Sequence, residues 1–399
     1  IEMIIKAQVL DQITVEYLSF DAIGNNMIYL DNAATTPVLP EVSQAMLNTL
    51  NTTFGNPSSI HNYGRSAGKV IRDSRKTIAA VLDIPARNII FTSGGSEANN
   101  QALVGYALAN RDKGNHIVVT AIEHHAVLHT VQYLQDRHGF DITLVKPNPD
   151  GSYTADLITN ALRDDTIMVS TMYANNETGQ ILPIAEIAKC LKTHQTVYHV
   201  DAVQVMGKLP IHPITLGIDF LSASAHKFHG PKGVGFLYHG DLKFDNLIHG
   251  GEQENGRRAG TESIHNIVGM ATALEISAQH LDTNYDKVSA LKTQLLSELD
   301  GLDYYVNAFG ETMPHVLNLG FPGFNQDLLL MKLDLQGIAI STGSACTAGV
   351  IEPSHVLEAV YGKTSAKLKE SVRVSLSDLT TSEDISEFVR ILKSILAQK

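Results

Sequence analysis

The sequence predicts an α/β protein, with a mostly parallel sheet covered on both faces by helices and a second, smaller α+β domain after it. Seven short apolar runs alternate with amphipathic stretches between Asn88 and His239, which is the pattern of repeated strand–helix units. A parallel sheet built from such units is covered on both sides. Beyond about Thr261 the texture changes to a long helical run and then to isolated strands.

The runs come in order. "NIIFTSGG" is a strand that turns on Gly94 and Gly95, and "SEANNQALVGYALANRD" is the helix that follows, with Ser96 as its expected N-cap. "HIVVTAIEHH", "DITLVKP" and "TIMVSTMYANNETG" supply three more strands, and "PIAEIAKCLKTH" has apolar spacing near 3.6 and reads as a helix. Cys190 sits in that helix and reads as a half-buried small hydrophobe. "VYHVDAVQ", "DFLSASAHK" and "GVGFLYH" complete the seven. "NIVGMATALEISAQHLDTNYDKVSALKTQLLSEL" is read as one helical run, "PHVLNLGF" and "ESVRVSLS" as strands, and "SEDISEFVRILKSILAQ" as the last helix. The domain division expected from this is 40–262 for the large domain, with 27–39 and 263–399 forming the small one. Residues 1–26 read as an appendage, because "MIYLDNAATTP" looks like a fresh start at Met27. They carry acids among apolar residues and lack a basic start, which does not fit a signal peptide.

With 399 residues, 44% of them hydrophobic and 18% charged, the chain has material for a sizeable core. Its net charge of −12 argues against direct binding to nucleic acid or to an anionic membrane. No apolar run approaches the roughly 20 residues of a membrane span. Two cysteines are too few for a disulfide framework or a cysteine-rich metal site, so a reduced cytoplasm is the expected compartment. No metal site is expected either. His125 and His129 are four apart, but no acidic or cysteine partner completes a ligand set.

In open α/β sheets ligands bind beyond the carboxyl ends of strands, and the residues there are polar. Gly95 and Ser96 open a helix whose exposed N–H groups suit a phosphate, although Gly-Gly-Ser is also an ordinary turn. Asp201 ends one strand, and Ser224, His226 and Lys227 end another. Singly, the aspartate could be a helix cap and the lysine a solvated charge. Together they meet what pyridoxal phosphate requires: a Schiff-base lysine, an acid for the pyridine nitrogen and a phosphate cup. Cys346 lies in "STGSACTAG", among small residues and glycines that read as a mobile loop. It is either a harmless surface thiol or a reactive one.

"YLDNAATTP", "FGNPSSIH", "TSGGSEANN", "EHHAVL", "NNETG", "HVDAVQ", "SAHKFHGPKG", "RRAGTES" and "GSACTAG" occur in the order found in cysteine desulfurases. From Met27 nearly to the C-terminus the chain resembles the NifS/IscS type of that family, in its class V aminotransferase group. The resemblance implies the fold-type-I pyridoxal phosphate transferase architecture, with a seven-stranded sheet. It implies that Lys227 binds the cofactor, Asp201 pairs with the pyridinium, Gln204 bonds the ring hydroxyl and His124 stacks on the ring and relays protons. Gly95, Ser96, Ser224 and His226 would hold the phosphate, with Thr261 from a partner subunit. Asn176 and Arg373 would orient the substrate, and Cys346 would take its sulfur as a persulfide.

The implied reaction converts L-cysteine to L-alanine in a homodimer that hands sulfur to an acceptor protein, in tRNA thiolation or iron–sulfur cluster assembly. Read alone, His124 could be a satisfied core histidine and Arg373 a solvent-facing strand residue. The competing functions are another fold-type-I enzyme, an aminotransferase or lyase, and a non-catalytic sulfur carrier or scaffold. The end "ILKSILAQK" lacks the acidic and aromatic tail of scaffold-docking members, which leaves a tRNA thiolation partner at least as well placed as a scaffold.

Overall fold

The computed structural model describes residues 27–343 and 353–397. It opens with β1 (Ile28–Tyr29), α1 (Pro40–Thr52) and α2 (Asn62–Leu82). Pro40 starts α1 at the position where its missing N–H costs nothing, and the His61 side chain caps α2 by accepting from Gly64 N–H. The chain continues through β2 (Ile89–Thr92), α3 (Gly95–Ala109), β3 (His116–Thr120), α4 (His125–His138), β4 (Asp141–Val145), α5 (Ala155–Thr159) and β5 (Thr166–Met172). Then come α6 (Ile184–Leu191), β6 (Val197–Asp201), α7 (Pro213–Leu216), β7 (Phe220–Ser224) and β8 (Gly235–His239). The remainder is α8 (Ile264–Gln279), α9 (Leu281–Glu298), β9 (Tyr305–Val306), β10 (Val316–Gly320), α10 (Gln326–Asp334) and β11 (Ile338–Ala339). The last described elements are α11 (His355–Tyr361), α12 (Lys367–Glu370), β12 (Ser371–Ser375) and α13 (Ser382–Leu396).

All seven predicted runs enter one sheet of order β2-β8-β7-β6-β5-β3-β4. It is parallel from β7 across to β4, and only β8 runs antiparallel to its neighbours. Consequently β2, β3, β5, β6 and β7 all end at the same edge. One sheet face packs on α2, α6 and α8 through Ile71, Ile187 and Met270, and the other on α3 and α4 through Leu103 and Val131. A second core gathers β10 and β12 with α9 and α13 around Leu295, Leu319, Val374 and Leu392. The bridge from Asp31 to Ser375 ties the segment after β1 to this smaller unit.

The long helical run is in fact two helices that meet at His280. α8 carries Ile264, Ile267, Met270 and Leu274 into the large-sheet core, whereas α9 carries Val288, Leu291 and Leu295 into the second. One straight helix could not present an apolar face to both. Cys190 is exposed. The 3.6-residue period explains the correction: Ile184, Ile187, Ala188 and Leu191 share the buried face of α6, and Cys190 falls off it.

Candidate active site

The common carboxyl edge gathers the chemistry. Gly94 and Gly95 follow β2, His124 follows β3, Asn176 follows β5, Asp201 ends β6, Ser224 ends β7, and Lys227 closes the 3-10 turn Ala225–Lys227 beyond it. A cavity of about 580 Å³ is lined by Gly95, Ser96, His124, Asn176, Asp201, Gln204, Ser224, His226, Lys227 and Arg373. Every sequence-predicted site residue lies on it except two. Thr261 is exposed and outside this wall, and Cys346 lies outside the described residues.

One part of the cavity wall is built at the start of α3. Its N-cap position is Gly94, not Ser96, which sits inside the first turn. Gly94 has φ 151°, in the region that favours glycine, so the sharp exit from β2 selects against the expected serine. At Gly95 a Cβ would stand 2.7 Å from Val203 Cγ2, so only glycine lets the helix abut the chain leaving β6. Ser224, His226 and Lys232 line the same cavity. Burial, then the charges of Lys227, Lys232 and Lys208, push the His226 imidazole down to about 4.

At the other end Asp201 is held as an acceptor on both oxygens. Asn99 Nδ2–H donates to Oδ2 at 2.7 Å and Val203 N–H to Oδ1 at 3.0 Å. Lys227 Nζ donates to the carbonyls of Ala33 and Ala34, each at 2.7 Å. Gln204 Nε2 donates to the same Ala33 carbonyl at 3.0 Å, which leaves its amide a second N–H. His124 N-caps α4, its Nδ1 accepting from Ala126 N–H at 3.1 Å, so the neutral ring carries its proton on Nε2. Burial keeps this ring neutral by lowering its pKa, against the pull of Asp201.

Arg373, 3% exposed on β12, donates from Nη1 to Asn176 O at 2.9 Å and from Nη2 to Asp31 Oδ1 at 2.7 Å. Its Nε–H is buried without a partner among the described residues. A guanidinium on the cavity wall suits an entering carboxylate. The set of a lysine amine, a doubly supported carboxylate, a glycine-opened helix N-terminus and this donor fits pyridoxal phosphate together with an amino acid.

The comparisons with known proteins agree. The aminotransferase class-V family pattern matches residues 28–388. The chain belongs to this family. It is 42% identical over 374 residues to the cysteine desulfurase IscS of Dictyoglomus turgidum, covering 92% of this chain and 94% of that protein. It is also 42% identical to the cysteine desulfurase IscS of Methanosarcina thermophila, covering 93% and 92%. A solved NifS-like protein matches with TM-score 0.88 at 34% identity, over 94% of this chain and all of that one. A structure described as SspA in complex with cysteine matches with TM-score 0.78 at 33% identity, over 88% and 99%. Within its family this desulfurase is a pyridoxal phosphate enzyme of the fold-type-I architecture.

Sequence reasoning missed Asn99, Asp31 and Glu123. Asn99 lies three residues beyond Ser96 in "SEANN", the helical spacing that returns it to the cavity side. Asp31 stands in "YLDNAATTP", but only folding brings it to Arg373. Glu123 precedes His124 and is fully buried. Its Oε1 accepts from Met172 N–H at 2.8 Å and from the Thr120 hydroxyl, while Oε2 has no partner among the described residues.

Burial, with Asp201 adding to it, raises the Glu123 carboxyl from 4.5 to about 8. The native state therefore holds a proton that the unfolded chain releases above pH 4.5. This contribution to stability is full below pH 4.5 and is lost as pH rises through about 8, at up to about 1.4 kcal/mol per pH unit. Glu123→Gln should flatten the fall of Tm with pH across that window. Parallel Tm curves for the variant and wild type would show that Glu123 is ionised in the fold.

Proposed function

We propose that the cavity takes L-cysteine, releases L-alanine and passes the sulfur to Cys346, from which an acceptor protein collects it. The observation that carries this is the convergence of Lys227, Asp201 and Arg373 on one cavity. Pyridoxal phosphate, when bound, supplies an electron sink for the charge left when the amino-acid Cα loses its proton. Lys227 would hold the cofactor, and its amine, when not so engaged, would move that proton. Asp201 keeps the pyridine nitrogen protonated and Gln204 donates to the ring hydroxyl. Gly95, Ser96, Ser224 and His226 hold the phosphate, joined by the partner subunit's Thr261. His124 covers the ring and carries a transferable proton on Nε2. In the sulfur step the Cys346 thiolate attacks the substrate sulfur. An S–S bond forms, the Cβ–Sγ bond breaks, and its electron pair stays with the carbon, which is protonated on the way to alanine.

Arg373 and Asn176 orient the substrate. Arg373→Lys keeps the charge but loses the planar fork, so KM for L-cysteine should rise about ten- to a hundredfold while kcat falls less. An unchanged KM would place the carboxylate elsewhere.

A homodimer supplies Thr261 to each site. In support, Phe54 and Ile60 in the α1–α2 connection and Tyr63 in the first turn of α2 are 74%, 90% and 60% exposed, and the Phe54 and Tyr63 rings stand 4.9 Å apart, apolar surface suited to a second copy. The net charge of −12 suits delivery to a protein of tRNA thiolation or iron–sulfur assembly rather than direct contact with RNA. A cytoplasmic location fits the two-cysteine composition. Among the described residues no helix is long and apolar enough to cross a membrane.

The test is to quantify alanine and sulfide together from L-cysteine and a reductant, with the same preparation run on a calibrated sizing column. Matched products from a dimer support the reading. Pyruvate and ammonia instead mean lyase chemistry, and full activity in a monomer contradicts the shared site.

A further inference from the structure

Glu177, in the turn after β5, is 2% exposed and takes no part in the site described above. Its neighbour Asn176 lines the cavity, and the Asn176 carbonyl accepts from Arg373 Nη1 at 2.9 Å. The turn is fixed from within and from outside. Asn175 Oδ1 accepts from the N–H groups of Glu177 and Thr178, each at 2.9 Å, and Asn318 Nδ2 donates to the Glu177 carbonyl at 3.2 Å.

The Glu177 carboxylate meets two residues that flank Cys346 in sequence. On the N-terminal side, Ser341 and Arg373 exchange main-chain hydrogen bonds at 3.2 and 2.6 Å. Gly343 follows on the cavity wall with φ 92°, and a Cβ on it would stand 3.1 Å from Glu177 Oε2. On the C-terminal side the Ser354 hydroxyl donates to that same Oε2, and as the N-cap of α11 it accepts from Leu357 N–H at 3.1 Å. His355 Nε2 adds a bond to the Glu123 carbonyl at 2.9 Å. One buried oxygen therefore touches both ends of the stretch that carries the thiol. Cys346 is three residues from Gly343, so covalent geometry keeps its Cα within about 11 Å of that point on the cavity wall. A stretch whose two ends are fixed together offers its thiol fewer positions than one fixed at a single end.

We propose that Glu177 is a positioning residue for the sulfur step. It acts through Ser354 and Gly343, holding the two ends of the Cys346 stretch beside the wall that Asn176 and Arg373 share. The proposal rests on Cys346 as the residue that takes the sulfur.

The experiment uses the full chain loaded with pyridoxal phosphate and reads two rates. Desulfuration of L-cysteine, followed as alanine and as labelled sulfur on Cys346 in a Cys190→Ser background, needs both the cofactor site and the thiol. Exchange of the Cα proton of L-alanine with D2O needs the cofactor site without the thiol. In Ser354→Ala and in Glu177→Met, desulfuration should fall about ten- to a hundredfold at unchanged KM, while exchange keeps its wild-type rate. Ser354→Thr retains the hydroxyl and should desulfurate as wild type does. A parallel fall of both rates with Tm is what a merely structural contact gives, and it overturns the proposal. So does wild-type desulfuration in Glu177→Met, a variant that leaves the cap of α11 in place. Normal desulfuration in Cys346→Ser would remove the footing of both this proposal and the role of Cys346. Normal desulfuration in Ser354→Ala beside an inactive Cys346→Ser overturns this one alone.

Discussion

Cys346→Ser should bind pyridoxal phosphate normally, change absorbance on adding L-cysteine as wild type does, and fail to produce alanine and sulfide. The expected fall in turnover is on the order of a thousandfold or more, because a serine hydroxyl is unionised at neutral pH while a cysteine of pKa about 8.5 is a few per cent thiolate. All the groups proposed to activate the substrate are left in place. Alanine formed at the wild-type rate would remove Cys346 from the reaction. Exposed Cys190 would react in any thiol-labelling assay, so the persulfide is best followed in a Cys190→Ser background. Labelled sulfur retained by the protein in that background, and absent when Cys346→Ser is added, would locate the persulfide on Cys346.

Lys227→Ala should abolish the borohydride-reducible adduct and lower desulfuration by at least about ten-thousandfold, since the proposed reading has one amine both bind the cofactor and move the proton. The variant also deletes the hydrogen bonds to the Ala33 and Ala34 carbonyls. Gln204 still reaches Ala33, so the expected stability loss is modest, about 1–2 kcal/mol. Measuring Tm beside activity separates the two effects. A folded Lys227→Ala protein that still forms alanine would show that another amine does the chemistry.

Much of this site was legible in the chain because its residues end strands, and strands announce themselves by apolar runs. Asp201 closes "VYHVD" and Ser224 closes "FLSAS" at the positions the runs suggest. The Gly94–Gly95 turn was legible too, although the cap was misassigned: serine is a common N-cap, but the geometry leaving β2 demanded positive φ. Cys190 was misplaced because a helix of eight residues has two faces, and reading its helical character does not say which of them a given residue shares. The long helical run lacked any local break signal at His280. Only the existence of two separate cores divides it.

By itself the sequence determined the α/β class, the seven strand runs and the strand-end positions of Lys227 and Asp201. These follow from periodicity and from the rule that parallel strands release their loops at one edge. Tertiary structure alone decided the long-range partnerships. Asp31 meets Arg373 across 342 residues, Asn99 meets Asp201 across 102, and Lys208 reaches the carbonyl of Lys227 across 19. Tertiary structure also decided the protonation of Glu123, whose shift comes from burial that no local pattern around "EHH" encodes. A residue's type and period are local properties of a chain, but its dielectric surroundings and its distant neighbours exist only once the sheet and the second core have closed around it.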